Sequence, residues 1–135
     1  MELIEILQAL NACHGPSGSE GAVAGVLRTL AAPYVDSCTT DALGNLIVFK
    51  KGRRSDGPKL LLAAHMDEVG LIVTRITDEG FCKFDFVGGV DRRVAIGKPV
   101  VLGPEKIPGV IGLKAIHLVS REEGKKVPKT DKPYW

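Results

Sequence analysis

Aromatic residues are scarce in this 135-residue chain: four Phe, two Tyr and one Trp, 5% of the total. Any core must therefore rest on Leu, Val, Ile and Ala. Cysteine is scarcer still. Cys13, Cys38 and Cys82 make an odd set without a CxxC spacing, which excludes a disulfide framework and reads as reduced thiols in a cytosolic protein. No apolar run approaches the ~20 residues of a membrane helix. The N-terminus lacks the basic-then-apolar pattern of a signal peptide, because Glu2 and Glu5 interrupt it. A net charge of +2 is too small to point to nucleic acid, and Arg92-Arg93 and Lys125-Lys126 are too sparse for a binding stripe. There are no internal repeats and no phosphate loop. Gly88-Gly89-Val90-Asp91 lacks the Lys-Ser/Thr that would hold a nucleotide, and Gly15-Pro16-Ser17-Gly18-Ser19 fails as a nucleophile elbow because Ser19 stands where glycine is required.

What remains is a soluble composition, 44% apolar and 25% charged, with an uneven charge distribution. Residues 1–68 sum to −2 and residues 69–135 to +4. The patterning changes at the same point. Leu3, Ile4, Ile6, Leu7 and Leu10 form a helical stripe that runs to His14 and ends at Gly15-Pro16. Ser17 and Glu20 match an S-x-x-E capping box ahead of a second stripe, Val23, Val26, Leu27 and Leu30, closed by Pro33. Both helices need a sheet to cover. Residues 35–39 and 46–49 read as a hairpin around Asp41–Asn45, with Gly44 left-handed. Lys59 to Ala64 reads as a central strand buried on both faces. After residue 69 come short strands at 71–77, 81–86, 99–102 and 110–113 without a helical stripe, the pattern of a small β-barrel or sandwich. The expected organisation is a mixed α/β part over 1–68 and a β part over 69–135.

The chemistry concentrates where the apolar strand ends, in His65-Met66-Asp67-Glu68. Chemistry in open α/β sheets collects at strand ends. In extended backbone, residues two apart point the same way, so His65 and Asp67 could face one metal ion; a capping histidine with a turn carboxylate is the plainer alternative. Glu68 could act as a general base or stand as a solvated turn acid. Asp41 and Asn45 suit an Asx turn, or support for the histidine. His14 shows no ligand partner nearby in the sequence, whereas His117, after an apolar strand, could face the site or stand as a packed or loop histidine.

Five fragments in order, Gly15-Pro16-Ser17-Gly18 with Glu20, Asp41 with Gly44-Asn45, Ala64 to Gly70, Gly88-Gly89 with Asp91, and Gly109 to Gly112 with His117-Leu118, resemble the tetrahedral or deblocking aminopeptidases, which include bacterial glutamyl aminopeptidases. The resemblance spans roughly residues 3 to 132. It implies a fold whose residues 1–68 are the first part of a zinc-peptidase α/β domain and whose residues 69–135 are an inserted β-barrel-like dimerisation domain with its return tail. It implies His65 as a zinc ligand and Asp67 as the acid that orients it or tunes the metal. It further implies two divalent ions, zinc or cobalt, that activate water, peptide substrates and homo-oligomers. Family members are much longer, and the bridging aspartate, the catalytic glutamate and the later ligands have no counterpart here. Val90 and Ala115-Ile116 also depart from the family's residues. The isolated polypeptide is therefore expected to hold zinc negligibly and to lack peptidase activity. Two other expectations stand beside this one: a non-enzymatic remnant retaining an oligomerisation module, and a related metallohydrolase with another substrate. Reading the DNA beyond codon 135 for the bridging aspartate separates a truncated gene from a remnant.

Overall fold

The computed structural model describes residues 2–112. The chain divides into two compact units, Met1–Glu68 and Val69–Trp135. The expected features at Ala115-Ile116, at His117 and in the lysine-rich tail lie outside the described residues.

In the first unit, α1 spans Leu3–Asn11 and α2 spans Gly21–Ala31. The backbone N–H of Glu2, which would otherwise be unpaired at the helix start, donates to Glu5 Oε2 at 2.8 Å. The helix stops earlier than its apolar pattern suggested, so His14 lies beyond its end and is exposed. The capping box expected at Ser17–Glu20 does not form. Glu20 occupies the N-cap position of α2, and its carboxylate turns back to accept from Gly18 N at 2.7 Å. Pro33 does close α2, inside a 3-10 turn over Ala32–Tyr34. Strands β1 (Ser37–Thr40) and β2 (Leu46–Phe49) pair antiparallel, Ser37 opposite Phe49 and Thr40 opposite Leu46. Gly44 turns the hairpin at φ +89°, the left-handed region that the sequence required of it. α2 packs on α1 and on β2. Arg28 ties α2 to the hairpin by donating to Cys38 O at 3.0 Å and Thr40 Oγ1 at 2.6 Å. Leu3 and Ile4 on α1 stay exposed.

The largest departure from the sequence reading is the segment Lys59 to Ala64, which forms no strand, and Leu60, Leu61 and Leu62 are 85–86% exposed. A central strand needs a hydrogen-bonded neighbour on each edge and cover on each face. Among the described residues nothing pairs with it: the sheets are three separate two-stranded ladders.

In the second unit, β3 (Gly70–Ile76) pairs antiparallel with β4 (Cys82–Val87), with a bulge between Val73 and Arg75. Phe84 and Phe86, two apart on β4, meet edge to face at 5.6 Å and pack with Leu71 and Val100 on buried Ala95 and Ile111. Ala95 belongs to a one-turn helix, α3 (Arg92–Ala95), which the sequence reading left out; its signal is Asp91, whose side chain accepts from Arg93 N. Strands β5 (Pro99–Leu102) and β6 (Ile107–Val110) form a second hairpin. β6 lies three residues before the strand expected at 110–113. Pro108 and Gly109 argue against a strand in sequence, yet in a two-stranded ladder each strand is an edge and proline is tolerated. The two hairpins share no ladder, so the described residues form no closed barrel.

Candidate functional site

The site is built in the first unit where the α1–α2 connection meets residues 65–68. Gly15 is buried, and a Cβ there would stand 2.6 Å from Val23 Cγ2, so only glycine lets the connection lie this close to α2. Its backbone is clasped from both sides: Gly15 N donates to Glu68 Oε1 at 3.0 Å, and Glu68 N donates to Gly15 O at 2.9 Å. Pro16 and Glu68 make an isolated parallel bridge. Two residues after Gly15, the Ser17 hydroxyl donates to Asp67 Oδ2. The other oxygen of that carboxylate, Oδ1, lies 3.0 Å from His65 Nδ1, as does the Asp67 backbone oxygen.

Both neighbours of His65 Nδ1 are acceptors, so that nitrogen carries the hydrogen. The neutral ring then presents Nε2 as a lone pair. This is how metal-bound histidines are usually held: one nitrogen donates to a carboxylate and the other faces the metal. Asp67 is turned onto the histidine's Nδ1. The Ser17 hydroxyl foremost holds the Asp67 carboxyl below the ordinary 3.8; desolvation opposes it, and His65 adds a smaller lowering effect. Asp67 is therefore a carboxylate at neutral pH. The His65 side chain itself is 85% exposed.

The other sequence candidates have local roles. The Asp41 carboxylate caps its own turn, accepting from Leu43 N and Asn45 N at 2.9 Å and from Asn45 Nδ2 at 2.8 Å. Those bonds, Asn45's side chain foremost, lower its pKa. One oxygen of Glu68 is engaged by Gly15. Asp91 faces Arg93. What the sequence reading missed is Ser17. It stands next to a helix, and a cap was the local explanation; its true partner is fifty residues away. Its membership in the Gly15-Pro16-Ser17-Gly18 fragment was the available signal.

A metal centre needs several such ligands. Among the described residues no group of three His, Cys, Asp or Glu side chains could hold a metal ion. They fit one ligand with its orienting acid and do not amount to a complete centre.

Residues 44–134 match the family model described as M42 glutamyl aminopeptidase. The chain is 33% identical over 122 residues to the glutamyl aminopeptidase of Lactococcus lactis, covering 88% of this chain and 34% of that protein. The crystal structure of a TET aminopeptidase from the archaeon Thaumarchaeota archaeon SCGC AB-539-E09 superposes with a TM-score of 0.86 at 33% identity, over 97% of this chain and 36% of that one. The Pyrococcus horikoshii TET1 peptidase, which can assemble into a tetrahedron or a large octahedral shell, superposes with a TM-score of 0.78 at 36% identity, over 98% of this chain and 39% of its own. The chain thus spans about a third of the length of the curated relatives it matches. The HMDEVG segment, the ordered fragments around it and a shared mixed helix–strand fold lead to one conclusion: the chain belongs to the M42 glutamyl aminopeptidase family.

Proposed function

We propose that this chain is the portion of a metal-dependent aminopeptidase that supplies one metal ligand, His65, and its orienting acid, Asp67. The whole protein removes N-terminal residues from peptides. The observation that carries this reading is the hydrogen-bond pair at His65 Nδ1, which leaves Nε2 with a free lone pair. Two divalent ions, zinc or cobalt, would complete the centre; when bound they supply an activated water and hold the substrate's amino end. The residues of this chain hold and orient an imidazole. The other ligands lie outside the described residues.

In this reading residues 1–68 are part of the catalytic α/β domain and residues 69–135 are the dimerisation insert, a division supported by the two compact units. Homo-oligomerisation is supported by the assemblies of the Pyrococcus horikoshii structures. A cytoplasmic site fits the three unpaired cysteines. Among the described residues no helix is long and apolar enough to cross a membrane.

A chimera tests the reading. This chain replaces the matching region of the Lactococcus lactis glutamyl aminopeptidase, and hydrolysis of glutamyl-p-nitroanilide is followed with zinc or cobalt added. The expected result is activity that His65→Ala abolishes. A chimera that melts cooperatively but shows equal activity with and without His65 contradicts the assignment.

A further inference from the structure

Nothing in the established family assignment gives Ser17 a role. Its hydroxyl is bonded to the Asp67 oxygen that His65 does not use. A carboxylate held at one oxygen by an imidazole alone can rotate about its own bond, and His65 is open to water that competes for its nitrogen. With Ser17 on Oδ2, the carboxylate is held at both oxygens. Ser17 is in turn held in place, because the backbone two residues earlier is clasped by Glu68 and packed on Val23. The run Gly15-Pro16-Ser17 is thus a rigid support for Asp67.

We infer that Ser17 is a positioning residue whose hydroxyl fixes Asp67 so that His65 is kept as the Nδ1–H tautomer with Nε2 free. The tautomer of a histidine is decided by the partner of one nitrogen, and a ligand must present the other. Free imidazole in water favours hydrogen on Nε2, the form that cannot ligate through it. Ser17 therefore acts through Asp67 and touches no metal. The inference rests on the reading of His65 as an Nε2 ligand.

The test is long-range 1H–15N NMR of the 135-residue chain with 15N-labelled histidine, without metal, at a pH where the rings are neutral. His65 is assigned by its loss in His65→Ala. The wild type should show His65 predominantly with hydrogen on Nδ1. Ser17→Ala should shift it to a mixture dominated by hydrogen on Nε2. Ser17→Thr, which keeps the hydroxyl, should restore the wild-type form, and Ser17→Val, of the same shape without a donor, should not. The threonine–valine pair decides the matter even if alanine loosens the loop. A wild-type ratio in both Ser17→Ala and Ser17→Val overturns the inference, as does a wild-type His65 protonated on Nε2. A zinc titration of the same samples separates the two ideas. If the tautomer responds to Ser17 but zinc ignores His65, the metal reading fails and the positioning role stands. If zinc perturbs Nε2 but the tautomer ignores Ser17, only the positioning role fails.

Discussion

Arg93 folds back on Asp91, two residues earlier, with Nη2 2.6 Å from Oδ2 and Nε 3.0 Å from Oδ1, while the Arg93 backbone N–H also donates to Oδ1 at 3.0 Å. The guanidinium, and after it the backbone N–H, brings the Asp91 carboxyl from its ordinary 3.8 down to about 2. A carboxylate with a lowered folded-state pKa stabilises the fold above its unfolded value. That contribution is complete above about pH 4 and is lost as pH falls toward 2. Titrating the side-chain carboxyl carbon by NMR should give a midpoint near 2 for Asp91. Arg93→Ala should move it up toward 3.8, and the acid unfolding of the second unit should begin at higher pH. A wild-type midpoint at the ordinary value contradicts the geometry.

Two glycines separate conformational strain from crowding. Gly44 has φ +89° and open space where a Cβ would stand. Gly44→Ala should therefore destabilise by about 1–2 kcal/mol, the strain of a left-handed residue alone, and Gly44→Asn by less. Gly88 has φ +86°, but a Cβ there would meet Val69 Cγ1 at 2.9 Å. Gly88→Ala should be the more destabilising of the two. Urea melts of both variants check the order; equal effects would show that Val69 yields freely.

The exposed leucines make a third prediction. Leu60, Leu61 and Leu62 form a continuous exposed apolar stretch, which favours association of the polypeptide. Leu61→Glu should lower light scattering and dye binding while changing stability by no more than about 0.5 kcal/mol. A large loss of stability would show that Leu61 is buried in solution.

These contrasts also show how much was legible beforehand. The Gly44 hairpin was readable because its turn chemistry is local and its partner strands adjoin. The helices were readable from their stripes, though not their ends: Glu20, not Ser17, stands at the N-cap position of α2. Leu60–Leu62 misled because an apolar run records what a segment would bury given neighbours, and pairing is a property of the neighbours. β6 misled because Pro108 counts against a strand unless its edge position is known. At the site, the family resemblance pointed to His65 and to Asp67 as the acid that orients it or tunes the metal; that the contact is made at Nδ1 comes from the structure. The fragment Gly15-Pro16-Ser17-Gly18 marked Ser17, but its pairing with Asp67 was not legible because only the fold brings the two together.

On the proposed reading, His65 is one prepared ligand of a metal centre. The most direct test is a zinc titration of the 135-residue polypeptide, read at the 15N resonances of its histidines, with dialysed samples analysed for retained metal. The expected result is weak, fast-exchanging binding that perturbs Nε2 of His65 and leaves its Nδ1 protonated, is lost in His65→Ala, and retains no zinc after dialysis. One tightly held equivalent of zinc, or binding that bypasses His65, would contradict it.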